Sequence, residues 1–230
     1  MKRLILFDID GTLLWTRGAA KRAFLRAMIE VYGTAGPIAT YSFSGKTDPQ
    51  IARELLRLEG FGDDDIQSGF QPLWTMYTRE LRSELALPDH ETIVLPGVRD
   101  IISALAERTD VLVGLVTGNI HDGADLKLAS AALGGAFRLG AYGSDNERRD
   151  ALPPIAVERA RAIAGKGFSG RDIIVIGDTP ADVTCGRALD VHAVGVATGT
   201  FATEALVAAG AHTVFADLSD TGAVLNVLVG

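Results

Sequence analysis

Residues 4–13 read Leu4-Ile5-Leu6-Phe7-Asp8-Ile9-Asp10-Gly11-Thr12-Leu13, and the fold follows from how this stretch changes character. Four apolar residues in a row, without polar alternation, suit a strand covered on both faces in a parallel sheet. The run then meets two carboxylates. A carboxylate that ends a buried strand is expensive unless it is paired or bound to a cation. In open α/β sheets such positions form sites, because ligands bind beyond the carboxyl ends of the strands. On an extended segment Asp8 and Asp10 would point to opposite sides. A turn at Asp10-Gly11, a common turn pair, lets both converge on one point.

Outward from this stretch, similar apolar runs recur at 111–116, 173–176, 191–196 and, more weakly, 213–215. Helical patterns separate them: Val98, Ile101, Ile102 and Leu105, then 122–133, 155–164, 179–189, 203–209 and 218–228. Strand alternating with helix predicts βαβ units and a doubly wound parallel α/β sheet. Residues 15–94 break the rhythm and read as successive helices. Ala20, Phe24, Ala27, Met28 and Val31 share one face, and Phe70, Leu73, Trp74, Tyr77, Leu81 and Leu85 share another. Asp48-Pro49 reads as a helix start, with Asp48 as N-cap and Pro49 in the first turn. The predicted organisation is therefore an α/β core of residues 1–14 and 95–230, interrupted by a small all-helical insertion of residues 15–94.

The chain has 230 residues, 47% apolar and 22% charged, a composition that excludes intrinsic disorder and can bury a sizeable core. Lys and Arg number 22 against 29 Asp and Glu, a net charge of −7, the wrong sign for a nucleic-acid binder. No run reaches the roughly 18 apolar residues of a membrane span, and Asp8 interrupts the first apolar run before a leader core forms. The single cysteine, Cys185, allows neither an internal disulfide nor a cysteine metal site, and reads as packed in a helix. A cytoplasmic protein with no nucleic-acid or membrane partner is expected, as monomer or homodimer. His90, His192 and His212 show no metal-ligand spacing, and His121 reads as a helix-start residue rather than a base.

Three further stretches carry chemistry. Thr117-Gly118-Asn119 follows the run at 111–116, although Thr-Gly-Asn is also a routine turn. Gly177-Asp178-Thr179-Pro180-Ala181-Asp182 follows the run at 173–176. Thr179 as N-cap, Pro180 in the first turn and Asp182 at the third position make a capping box, which leaves Asp178 as another carboxylate at a strand end. Between them, residues 143–154 carry Arg148-Arg149 before Asp150-Ala151-Leu152-Pro153-Pro154.

The string Asp8-x-Asp10-Gly11-Thr12, followed in order by these three stretches, resembles the haloacid dehalogenase superfamily of aspartate-nucleophile phosphotransferases, and the resemblance spans essentially the whole chain. It implies a Rossmann-like core with a helical cap of the first type. Phosphoglycolate phosphatases and β-phosphoglucomutases are close in organisation. On this resemblance Asp8 attacks phosphorus, and Asp10 protonates the leaving oxygen and later activates water. Mg²⁺ is held by Asp8, the Asp10 carbonyl and Asp178, with Asp182 orienting the metal's surroundings. Thr117, the amides of Gly118 and Asn119, and a third-motif cation bind phosphate. The third motif departs from the common Lys-Pro form; comparison with members carrying Arg before a Leu-Pro-Pro helix start favours Arg149 over Arg148, and Arg forks onto phosphate as well as carboxylate. In the cap, Lys46 of Phe43-Ser44-Gly45-Lys46-Thr47-Asp48 stands where relatives present a basic substrate-reading residue, with Arg17 and Arg22 as weaker candidates. The expected partner is a small phosphorylated metabolite. A Mg²⁺-dependent phosphatase, with phosphoglycolate as leading substrate, heads the readings. A β-phosphoglucomutase-like phosphotransferase and a non-catalytic phosphometabolite-binding module are the alternatives.

Overall fold

In the computed structural model, which describes residues 2–230, β1 (Arg3–Phe7) is the hub of a six-stranded sheet. The chain leaves it through β2 (Leu14–Trp15) into four helices, α1 (Ala19–Tyr32), α2 (Asp48–Leu58), α3 (Asp63–Ser68) and α4 (Phe70–Leu85). It returns through β3 (Ile93–Val94), which pairs antiparallel with β2, Leu14 opposite Val94 and Trp15 opposite Ile93. Then follow α5 (Val98–Ala106), β4 (Val111–Thr117), α6 (His121–Ser130), β5 (Gly140–Tyr142), a 3₁₀ turn at Arg149–Ala151 and α7 (Leu152–Ala164). The last elements are β6 (Ile173–Gly177), α8 (Pro180–Cys185), β7 (His192–Val196), α9 (Thr203–Ala208), β8 (Thr213–Phe215) and α10 (Thr221–Val229).

The sheet order is β5-β4-β1-β6-β7-β8, and every pairing is parallel. β4 therefore lies on one side of β1 and β6 on the other, so the crevice where a doubly wound sheet binds ligands opens above β1. Leu4, Ile5, Leu6 and Phe7 are fully buried because α5, α6 and α10 cover one face of the sheet and α7 and α8 the other. The doubly wound fold expected from the uninterrupted apolar runs is the fold observed.

The helical insertion has a core of its own. Phe24 and Met28 of α1, Ile51 and Leu55 of α2, and Leu73, Tyr77 and Leu81 of α4 form one cluster. Arg22 and Arg26 of α1 pair with Glu84 of α4 along its rim. Ile120, which belongs to the α/β core, inserts into this cluster. Two local expectations are corrected. The N-cap of α2 is Thr47, whose hydroxyl accepts from the Gln50 N–H, while Asp48 is the first helical residue. Strand β5 went unread because Gly140-Ala141-Tyr142 is too short to make an apolar run. Among the described residues, no helix is long and apolar enough to cross a membrane.

Candidate active site

Register fixes the site. Phe7 pairs with Leu115 on one side and Ile176 on the other, so Asp8, Thr117 and Asp178 emerge together at the carboxyl ends of the three central strands. Asp8 and Asp178 are buried. With Asp182 they offer carboxylate oxygens within 4.8 Å of one another. The turn after β1 closes through Gly11, at φ +82. A side chain there would suffer twice, from the left-handed backbone and from collision with the Asp178 carboxylate. Thr12 then donates to Asp178 Oδ1 at 3.2 Å.

Arg149 is the cation of this cluster. It is buried, one terminal nitrogen lies 3.0 Å from Asp8 Oδ1, and the same nitrogen donates to Asp182. Its Nε is buried without a hydrogen-bond partner among the described residues. Arg148, by contrast, is exposed and forks onto its neighbour Asp150 at 2.7 and 3.1 Å. Asp182 also accepts from the Thr179 N–H at 3.0 Å and the Thr179 hydroxyl at 2.7 Å, and with the Thr179 side chain it completes the capping box of α8. Its oxygens are therefore largely spent, whereas those of Asp8 and Asp178 face the cleft.

Burial raises Asp8 to about 7, with Arg149 opposing and Asp182 and Asp10 adding to the rise. Burial likewise raises Asp178 to about 8, helped by repulsion from Asp182 and Asp8. Three buried carboxylates share one guanidinium, so the cluster lacks positive charge and its donors are hard oxygens. That donor chemistry fits a small divalent cation, which prefers oxygen ligands.

The second carboxylate of the motif has a separate cation. Lys127 of α6 is buried and its Nζ lies 2.8 and 2.7 Å from the two oxygens of Asp10 and 2.5 Å from Asn119 Oδ1. The Asn119 amide in turn donates to Asp10 Oδ2 at 2.8 Å and to Thr117 Oγ1 at 2.7 Å. Sequence reasoning passed over Lys127. Its signal was a lysine on the apolar face of a helix, beside Ala124, Leu128 and Ala131, all of which are buried.

Above this floor a cleft of about 270 Å³ is closed by the helical insertion, with Phe43, Lys46, Ile51 and Tyr77 on its upper wall. The insertion is seated directly on the loop after β4. Asp48 N–H donates to the Gly118 carbonyl at 2.7 Å, and the Asp48 carboxylate accepts from the Ile120 N–H at 2.8 Å. A Cβ at Gly118 would strike the Lys46 carbonyl, which is why this loop needs glycine. Asp48 is buried, and burial raises it to about 6 against the opposing charge of Lys127. Lys46 lines the cleft, but its ammonium lies 2.5 Å from both Glu54 Oε2 and the Tyr41 hydroxyl. Arg17 and Arg22 are turned to Glu91 and Glu84.

A parallel α/β sheet with an acidic cluster at its central strand ends and a helical insertion above them defines the class as a doubly wound α/β protein. A family model of haloacid dehalogenase-like hydrolases matches residues 2–190, and the chain belongs to that family. No curated protein matches it. Among solved structures, a hydrolase from Pseudomonas syringae is similar at TM-score 0.73 and 19% identity over 100% of both chains. A predicted phosphoglycolate phosphatase from Haemophilus somnus 129pt is similar at TM-score 0.68 and 15% identity, over 97% of each chain. A candidate β-phosphoglucomutase from Bacteroides vulgatus is similar at TM-score 0.69 and 19% identity, over 98% of this chain and 88% of that one. At these identities the likeness is one of fold.

Proposed function

We propose that this hydrolase is a Mg²⁺-dependent phosphatase of a small phosphorylated metabolite, working through a phosphorylated Asp8. The observation that carries the reading is the pair of differently held carboxylates on one cleft floor: Asp8 beside Arg149 at the end of the central strand, and Asp10 two residues on, clamped by Lys127. A nucleophile and a proton carrier are what a two-step transfer needs. Asp8 attacks phosphorus, and the bond to the leaving oxygen breaks as Asp10 gives that oxygen a proton. Asp10 then takes a proton from the water that attacks the phosphorylated Asp8, returning the carboxylate and releasing inorganic phosphate. Arg149, Thr117 and the Gly118 and Asn119 amides hold the oxygens of the transferred group, where charge spreads in the transition state. Asp8 and Asp178 would hold Mg²⁺ with the Asp10 carbonyl, and the bound ion supplies charge screening between a carboxylate nucleophile and an anionic phosphate.

Phosphoglycolate is the first substrate to assay, on the resemblance. Lys46, which lines the cleft, is the cation proposed for its carboxylate, and it would have to exchange Glu54 for the substrate to serve. The deciding experiment is phosphate release from a panel of phosphomonoesters with and without EDTA. Asp8→Asn is expected to fold normally and lose at least about a thousandfold in turnover, as removal of a covalent nucleophile does. Near-normal turnover in that variant would overturn the mechanism, and phosphate moved within a sugar rather than released would favour the mutase reading.

A further inference from the structure

The clamp on Asp10 is not part of the four motifs that carry the resemblance. Lys127 arrives from α6, a helix whose buried face is otherwise made of Gly123, Ala124 and Leu128. A leucine or methionine at this position would pack against those neighbours without the desolvation that burying an ammonium entails. The cation is instead 3% exposed and directs its donors to Asp10 and Asn119, with Nζ at 2.8 and 2.7 Å from the two Asp10 oxygens and 2.5 Å from the Asn119 amide oxygen. Asn119 adds a further donor to Asp10, at 2.8 Å, and reaches Thr117 at 2.7 Å with the same amide nitrogen. Asp10 is thereby fixed from two elements, the loop after β4 and the helix that follows it. A third of its side chain stays open to the cleft. Arg149 is occupied with Asp8 and Asp182, so neither cation duplicates the other.

We propose that Lys127, together with Asn119, is a positioning residue that holds the Asp10 carboxyl in the orientation from which it serves the leaving oxygen. Lys127 does not exchange a proton in this scheme and acts through the Asp10 carboxyl it holds. In the first step the Asp8 oxygen forms a bond to phosphorus, the bond from phosphorus to the leaving oxygen breaks, and the Asp10 proton passes to that oxygen. The inference rests on the phosphatase reading, and it concerns only the second carboxylate.

Esters that differ in their need for a proton separate this role from a structural one. A p-nitrophenyl ester leaves as a stabilised anion, whereas glycerol 1-phosphate must have its alkoxide oxygen protonated. In Lys127→Met, kcat/KM for glycerol 1-phosphate is expected to fall about a hundredfold and that for p-nitrophenyl phosphate by about tenfold or less, within the range of general acid catalysis. The loss should lie in kcat rather than KM, and Lys127→Arg should recover part of the lost ratio. Equal losses on the two esters, or a loss confined to KM, overturn the assignment. Should Lys127→Met lack a cooperative melt, Asn119→Ala, which removes the other donor to Asp10, is expected to change the ratio in the same direction, and an unchanged ratio there overturns the proposal. A wild-type protein that hydrolyses neither ester, with Mg²⁺ present, overturns the phosphatase reading itself and the role of Lys127 with it.

Discussion

Asp8 and Asp178 lie in a pocket short of positive charge, and this sets the sign of the protein's response to pH. In the unfolded chain both carboxyls titrate near the ordinary 3.8, while in the fold burial raises them to about 7 and about 8. Between those limits the folded state binds more protons than the unfolded one, so this pair's contribution to stability falls as pH rises from about 4 to about 8. Melts of the metal-free protein across that range should show the fall, Asp178→Asn should flatten it, and added Mg²⁺ should reverse it by binding the deprotonated pair. A wild-type slope identical to that of Asp178→Asn would remove the repulsion from the account. The two adjacent arginines make the complementary test. Arg149→Ala leaves Asp8 and Asp182 buried without their cation, a change that costs about 3–5 kcal/mol where buried pairs are broken, and activity should be nearly abolished. Arg148→Ala removes an exposed contact to Asp150 and should leave melting temperature and turnover close to wild type. Paired melts and phosphate-release rates decide the ranking.

Among the elements, the join between α2 and the loop after β4 is the most consequential. Asp48 holds the Ile120 N–H and the Gly118 carbonyl at once, so the insertion and the loop after β4 share their hydrogen bonds. Asp48→Ala leaves a buried N–H unpaired, at about 1–3 kcal/mol, and is expected to lower kcat/KM by about one to two decades, while Asp48→Asn, which keeps an acceptor, should recover most of it. Steady-state kinetics on one good substrate checks this, and parity between the two variants would show that the contact does not matter. The sequence carried part of this element-level picture. The starts of α2 and α8 were legible because Pro49 and Pro180 mark first turns, but Thr47 rather than Asp48 caps α2. Asp48 was legible only as a cap, since its true partners are two backbone groups distant in sequence. Lys127 was passed over for the same reason: a periodicity reading weighs what a helix buries, and one lysine among Ala124, Leu128 and Ala131 looks like noise until Asp10 is seen opposite it.

At the scale of the whole molecule, the apolar runs were enough to predict a doubly wound sheet, because strands buried on both faces need no alternation and leave a plain signature. Asp8 and Asp178 were legible as candidate site residues by contrast with the runs they end, and both are buried at the strand ends. Less legible was how the insertion meets the core, which depends on Ile120 entering the cluster of Phe24, Leu73 and Tyr77, and no local pattern announces that. The place of β1 in the sheet has a kinetic consequence. Leu4 is partnered by Leu112 and Ile173, so β1 precedes both of its partners in the chain and must stay unpaired while the helical insertion is made. α1 and α4 meet each other over a much shorter stretch of chain and close a smaller loop. Refolding should therefore begin in the insertion. Pulse-labelled hydrogen exchange is expected to protect amides of α1 and α4 before those of β1, and β1 protection arriving first would mean that the sheet templates the helices. Until β4 and β6 arrive, Leu4 to Phe7 is an apolar strand with two open edges, and overexpression that outruns this pairing should send chains into aggregates through that segment.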